Sequence, residues 1–314
     1  MLNVALVGVG GISEVHISAW NRMAETKLVA LCDIRPEQME KYENVNKYTD
    51  FDEMLSKEQI DILDICLPTY MHVEFAMKAM NLGINVLCEK PISLNKDDVA
   101  KVYKCAKDNN VKFMVAQVLR FWPEYVKLKE IYDTQKYGKL LSGCFYRLSE
   151  CPGWSWDGWM RDEKRSGFVP FDLHIHDLDF MVYAFGKPKK ANTFRTKRTD
   201  QDYISAVYEY DNFFINMESS WYASPHPFTT GFRLQFEKSV VVNKDGKLVI
   251  YEKDVGTVDV SNDGNKESGA INLPQTDAYY EEIKYFVDCV LKNKKPEIIK
   301  PEELETVLDI LELF

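Results

Sequence analysis

Gly8-Val9-Gly10-Gly11-Ile12-Ser13 closes the apolar run at residues 2–7 and opens a helical stretch. Glycines placed there let the main chain turn tightly and come close to a ligand. The free N–H groups of the helix N-terminus behind them attract phosphate. Ser13 stands where a third glycine is usual and is small enough for the helix to pack on the strand. A second apolar run, residues 28–32, ends in Asp33, about 20 residues further on, the spacing of a carboxylate that takes ribose hydroxyls. These residues predict a dinucleotide cradle. Asp33 favours NAD by repelling a 2′-phosphate; Arg35 could accept that phosphate, so NADP stays open.

Glu89-Lys90-Pro91 ends another apolar run, at the carboxyl edge of a predicted strand, where ligands bind in doubly wound sheets. Pro91 forces Lys90 out of the helical region and can take a cis bond. A lysine beside a nicotinamide and a substrate hydroxyl stabilises a developing alkoxide. Alone, the tripeptide also reads as a surface turn. Asp172-Leu173-His174-Ile175-His176-Asp177-Leu178-Asp179 begins a predicted helix on which Asp172 and His176 share a face and can act together. The plain alternative is an N-cap aspartate with a satisfied histidine behind it. On a helix His174 and His176 point about 200° apart and cannot share an ion, so no metal is predicted.

Trp154, Trp156 and Trp159 are three of the chain's six tryptophans, and Arg161, Asp162, Lys164 and Arg165 follow them. Aromatic faces stack on the C–H faces of sugar rings, and charged neighbours bind hydroxyls or a carboxylate. The cluster therefore reads as a lid over a polyol or sugar. Packing at a domain junction or oligomer contact explains it nearly as well.

The elements that must position these residues fall into two sets. Apolar runs at residues 2–7, 28–32, 60–67, 85–88 and 112–115 alternate with helical patterns at 13–23, 71–83 and 96–109. That alternation means a parallel, doubly wound sheet. After about residue 136, residues 140–149, 203–210, 213–221, 232–236, 247–251 and 255–260 read as strands without intervening helices. Strict alternation of Phe232, Leu234 and Phe236 with Arg233 and Gln235 marks an antiparallel sheet with one solvated face. One helix near 172–185 precedes most of these strands, two helices close the chain, and residues 261–272 read as a surface loop. The fold class is α/β, a Rossmann sheet followed by an α+β domain with an open, mostly antiparallel sheet.

Composition narrows the partners. A chain of 314 residues, 46% hydrophobic and 28% charged, is globular and long enough for two domains. Its net charge of −10 repels nucleic acid and anionic membranes. No apolar run approaches the roughly 20 residues that span a bilayer. The N-terminus MLNVALVGVGG does not read as a signal peptide. The seven cysteines are scattered without a CxxC pair, which points to reduced thiols and a cytoplasmic protein.

Taken together, the motifs resemble the Gfo/Idh/MocA family of glucose–fructose oxidoreductases, inositol 2-dehydrogenases and their relatives. The match runs in order through the glycine loop with His16, Cys32-Asp33, Tyr48-Thr49-Asp50-Phe51, and Leu67-Pro68-Thr69 with His72. It continues through Glu89-Lys90-Pro91, Arg120-Phe121 with Pro123, and Asp172–Asp179. The resemblance implies an NAD(P)-binding Rossmann domain over 1–120 and a substrate-binding and oligomerisation domain over 121–314. The exposed face of the second sheet would build a homodimer or homotetramer, and the C-terminal helix would pack back on the first domain. Lys90, Asp172 and His176 match the catalytic lysine, aspartate and histidine. The implied cofactor residues are Gly8, Gly10, Gly11, Ile12, Ser13, Asp33, Arg35, Pro68, Thr69, His72, Glu89, Lys90 and Gln117. Arg120, Trp156, Trp159 and Arg161 would join Asp172 and His176 around the substrate.

The implied activity is NAD(P)-dependent oxidation of a secondary alcohol of a sugar, cyclitol or derivative. The alternative is a non-catalytic dinucleotide-binding sensor of the same fold, which need not keep lysine, aspartate and histidine together. Two departures bear on substrate choice. Gln117-Val118-Leu119-Arg120 lacks the asparagine often found before the arginine, and the glycine-rich approach to the aspartate is reduced to Ser166-Gly167-Phe168.

Overall fold

The computed structural model describes residues 1–244, 246–261 and 276–314, so the surface loop read at 261–272 lies, beyond its first residue, outside the described residues. The chain forms two compact units. One holds Met1–Val118 with the described part of Glu267–Pro301; the other holds the described part of Leu119–Lys266 with Glu302–Phe314.

The first unit carries β1 (Leu2–Val7), α1 (Ser13–Asn21), β2 (Thr26–Cys32), β3 (Asn46–Tyr48), α2 (Phe51–Lys57), β4 (Ile62–Ile65), α3 (His72–Met80), β5 (Asn85–Glu89), α4 (Asp97–Asp108) and β6 (Phe113–Ala116). Its sheet runs β3-β2-β1-β4-β5-β6 with every described pairing parallel. Leu6, Leu31, Ile62, Leu63, Val86, Leu87 and Met114 are fully buried, as strands covered on both faces require. The strand order reverses between β1 and β4, and ligands bind at such a switch point. The sequence reading missed β3 and α2, a three-residue edge strand and a two-turn helix in which only Met54 is buried.

The second unit begins with α5 (Pro123–Thr134), β7 (Leu140–Glu150) and the short α6 (Glu163–Ser166). A π-helical turn, Pro170–His174, then leads into α7 (Ile175–Phe185). There follow β8 (Lys190–Arg198), β9 (Gln201–Glu209), β10 (Phe214–Tyr222), β11 (Thr229–Phe236), β12 (Ser239–Lys244), β13 (Lys247–Glu252) and β14 (Gly256–Asp259). The sheet order is β14-β13-β12-β11-β7-β10-β9-β8, antiparallel except where β7 lies beside β10. Phe145, Ile204, Ala206, Tyr208, Ile215, Met217, Phe232 and Leu234 form the buried face, and Tyr125 of α5 stacks edge-on against Phe180 of α7 and Phe232. Phe194, Tyr203, Phe214 and Tyr251 remain exposed on the sheet.

The helix α5 is an addition to the single helix expected before these strands. Its stripe is only Tyr125, Leu128 and Ile131, and Val126 lies on the outside. Two closing helices are present: α8 (Ala278–Leu291), which belongs to the first unit and packs on α1, and α9 (Pro301–Leu311), which from Glu302 belongs to the second. Among the described residues no helix is long and apolar enough to cross a membrane.

Candidate functional site

In the first unit the loops that follow β1, β2, β4, β5 and β6 all lie at the carboxyl edge of the sheet. Gly8 turns the chain at φ +90°, where a Cβ would stand 2.6 Å from the Cys66 carbonyl oxygen, so a side chain is excluded by both strain and contact. At Gly10 a Cβ would meet nothing within 4 Å: the space above this glycine is open. Gly11 beside it is exposed. Ile12 caps α1 without a side-chain hydrogen bond, and the Ser13 hydroxyl donates back to the Gly10 carbonyl at 2.6 Å. A loop with this form and an opening helix behind it is built to receive an anion.

Asp33 is braced from both sides. Its Oδ2 accepts the Val9 main-chain N–H at 2.8 Å, and its Oδ1 accepts that of Arg35 at 2.8 Å. Each carboxylate oxygen retains acceptor capacity for a hydroxyl. The Arg35 Nε, at 3.4 Å from the same Oδ1, turns that guanidinium toward Asp33.

After β4, Pro68 is half-buried and Thr69 is buried in a 3₁₀ turn; His72 then opens α3. His72 is among the expected cofactor residues, and the structure engages its side chain elsewhere. The ring is buried, its Nδ1 2.7 Å from the Pro91 carbonyl and its Nε2 2.7 Å from that of Leu67. Burial draws the imidazole below its ordinary range, against the two carbonyls, which favour the charged ring. His72 therefore ties the loop after β4 to the loop after β5 instead of reaching out from either.

Glu89 was likewise expected at the cofactor. Its carboxylate turns inward, Oε1 3.0 Å from His16 Nε2 and Oε2 accepting the Lys90 N–H at 3.0 Å. Lys90 is half-buried at the sheet edge, and the Lys90–Pro91 bond is cis. Gln117, buried, follows β6.

In the second unit the segment Asp172–Asp179 spans the end of the π-helical turn and the start of α7. Six of its eight residues are buried; the two that keep exposure are Asp172 and His176. The helical geometry puts His174 on the opposite side, with Nδ1 3.0 Å from Ser219 Oγ and Nε2 2.7 Å from Tyr208 Oη. Burial pulls its pKa down to about 3, so this ring is neutral.

The two remaining aspartates hold arginines. Asp177 accepts from Tyr125 Oη at 2.7 Å and from Arg147 Nε at 2.8 Å. Asp179 takes Arg120 in a two-point contact, Nε at 2.8 Å and Nη2 at 2.7 Å. The third nitrogen of Arg120 meets Glu303, and the Tyr183 ring covers the guanidinium at 4.6 Å. Arg120 was expected at the substrate, and this is corrected: its side chain has no exposure and its charge is neutralised by two carboxylates of its own unit.

The tryptophan segment divides. Trp154 is 64% exposed and Trp156 38% exposed, with Asp157 and Gly158 turning the chain at positive φ just behind them. Arg165 braces the turn through Asp157, Nη1 to Oδ2 at 2.9 Å and Nη2 to the main-chain oxygen at 2.8 Å. Trp159, half-buried, instead packs against the core of Cys151, Met160, Val169, Leu173, Ile204 and Trp221. Arg161 stays exposed, 3.3 Å from Asp200.

The sequence reading gave no role to Asp64 or Glu282. Both are fully buried in the first unit near His16, and a charged residue inside an apolar pattern was the available signal.

Comparison with known proteins follows the two units. Residues 2–117 match the oxidoreductase family with an NAD-binding Rossmann fold, and residues 125–242 match the GFO/IDH/MocA C-terminal domain. Among curated relatives, D-glucoside 3-dehydrogenase of Escherichia coli (strain K12) is 28% identical over 192 residues, 60% of this chain and 55% of that protein. Inositol 2-dehydrogenase of Rhizobium meliloti (strain 1021) is 28% identical over 185 residues, 58% of this chain and 54% of that protein. The chain thus spans about half the length of the curated relatives it matches. Among solved structures, a levoglucosan dehydrogenase in complex with NADH and levoglucosan has the same fold, with a TM-score of 0.84 at 18% identity, covering 99% of this chain and 95% of that one. With both units matched in order and a glycine loop shaped for a dinucleotide, the chain belongs to the Gfo/Idh/MocA family of oxidoreductases and carries its NAD-binding Rossmann domain.

Proposed function

We propose that the chain is an NAD-dependent dehydrogenase acting on a secondary alcohol of a sugar, cyclitol or sugar derivative. The observation that carries this reading is the selective exposure within Asp172–Asp179: only the aspartate and histidine that match the family's catalytic pair keep a solvent-facing surface.

The first unit fits the cofactor. The glycine loop and the start of α1 would hold the pyrophosphate, and Asp33 the adenosine ribose. Bound NAD supplies an acceptor for the hydrogen that leaves the substrate carbon with its electron pair. His176 takes the hydroxyl proton, Lys90 stabilises the oxygen as it gains negative charge, and Asp172, one helical turn before His176, orients that ring. Trp154, Trp156 and Arg161 offer stacking faces and a cation to a ring substrate. The exposed aromatics Phe194, Tyr203, Phe214 and Tyr251 favour a homo-oligomer that covers the open sheet.

A panel of polyols, aldoses and sugar acids, assayed with NAD for NADH absorbance, tests the reading. Turnover of at least one panel member is expected. Tight NAD binding with no turnover across the panel would favour a sensor.

A further inference from the structure

Under the loop that carries Lys90 lies a chain of buried polar groups that no step above uses. His16 of α1 has no exposure. Its Nδ1 is 2.8 Å from Asp64 Oδ2 on β4, and its Nε2 is 3.0 Å from Glu89 Oε1 at the end of β5. With both carboxyls ionised, each ring nitrogen must donate, and His16 is then an imidazolium. Burial, the largest single influence, pushes this ring down, but the Asp64 charge, the Cys66 thiol and the hydrogen bonds to both together hold the pKa well above its ordinary value. Glu89 responds in the opposite sense: burial works most strongly to raise its carboxyl, but the hydrogen bond and charge of His16, with the charge and main-chain N–H of Lys90, together bring it below the usual range.

The rest of the cluster closes around this axis. Trp20 Nε1 donates to Asp64 Oδ2 at 2.6 Å, and the Cys66 thiol lies 3.8 Å from Asp64 Oδ1. His16, Asp64 and Cys66 bring ligand-type atoms within 4.8 Å of one another, a spacing also compatible with an ion. Asp64 Oδ2, however, already accepts from both Trp20 and His16, and neither His16 nitrogen keeps a lone pair. The group is closed by protons, and we assign it no metal. Glu282 of α8 is fully buried, and burial and then the Glu89 charge push its carboxyl well above the usual range.

The cluster reaches the working loop through Glu89. Glu89 Oε2 accepts the main-chain N–H of Lys90 at 3.0 Å. We propose that His16 is a positioning residue for Lys90: its imidazolium fixes the Glu89 carboxylate, and Glu89 fixes the main chain from which the lysine side chain departs. His16 touches no reacting atom and acts only through that relay. The inference rests on the reading of Lys90 as a group that acts on the substrate.

The test uses the full chain with His16→Gln and Glu89→Gln, each alone and combined with Lys90→Met, measured for kcat, KM, NAD affinity and thermal midpoint. Each single variant is expected to lower kcat roughly 10- to 100-fold with NAD affinity within about threefold of wild type. Added to Lys90→Met, neither should cost anything further, because residues acting through one group are not additive. A His16→Gln or Glu89→Gln penalty of the same size in both backgrounds, or none in either, would overturn the positioning role while leaving Lys90 in place. Unchanged turnover in Lys90→Met would instead remove the reading on which the inference rests. Should His16→Gln fail to fold, the near-isosteric Glu89→Gln carries the same comparison. A readout independent of activity is nitrogen–proton correlation of the histidine rings at about pH 8 in the wild-type chain. Both His16 nitrogens should be protonated, and a neutral tautomer would contradict the relay.

Discussion

The main-chain N–H of Val9 donates to Oδ2 of Asp33 across 2.8 Å, so the glycine loop after β1 and the carboxylate that closes β2 hold each other in place. Asp33→Ala should therefore lower NAD affinity roughly 10- to 100-fold, the range for losing hydrogen bonds to a charged group. NADP should suffer less, since the variant also removes a charge that repels a 2′-phosphate. Calorimetric titration with both dinucleotides checks this. Equal losses would detach Asp33 from the ribose.

Arg120 gives the opposite kind of prediction. Removing it leaves Asp179 buried without the cation it pairs with, and Glu303 loses the same partner. Arg120→Met should cost about 3–5 kcal/mol in chemical denaturation, the range for breaking a buried ion pair, with little change in the KM of the folded protein. Unchanged stability with a raised KM would return Arg120 to the substrate.

These two residues show how far the sequence was legible. The glycine loop and Asp33 are specified locally, by a strand, a turn and a spacing, so their placement could be read directly. The same holds for the parallel sheet, whose buried strands are continuous apolar runs. The roles of Arg120, His72 and Glu89 depend on partners 59, 19 and 73 residues away, and no local pattern names a partner. Trp156 and Trp159 differ by three positions, yet one is exposed and the other packs on a core, with Asp157 and Gly158 turning the chain at positive φ between them. The strand β8 was missed because an edge strand rich in Lys and Arg lacks the alternation by which strands are recognised. The hairpin partner β12 was missed for another reason: its valines run together without alternating.

The buried carboxyl of Glu282 makes stability depend on pH. Burial first, and then the Glu89 charge, keep it protonated well above the pH at which an unfolded chain releases that proton. Between those two pH values the native state binds one more proton than the unfolded state, so stability falls as pH rises. His16, also raised, acts in the same direction above its ordinary value of 6.5. Glu282→Gln removes the first contribution and should stabilise the chain by roughly 1–3 kcal/mol at about pH 8, with little effect near pH 4. Thermal melts at the two pH values measure it, and a lower midpoint than wild type at the higher pH would show that Glu282 is ionised in the fold.

The tryptophans should separate by assay. Trp154→Ala and Trp156→Ala are expected to raise KM for a ring substrate roughly three- to tenfold, with the thermal midpoint nearly unchanged. Trp159→Ala, which empties part of a core, should cost about 1–3 kcal/mol of stability. A stability loss in the first two with KM unaffected would mark them as packing residues.

Lys90 and His176 are the groups proposed to act on the alcohol. The most direct measurement is steady-state turnover of Lys90→Met and His176→Ala on a substrate from the panel, with NAD affinity measured in parallel. A fall of roughly 10²-fold or more in kcat is expected for each, with NAD affinity close to wild type. Undiminished turnover in both variants would contradict that role.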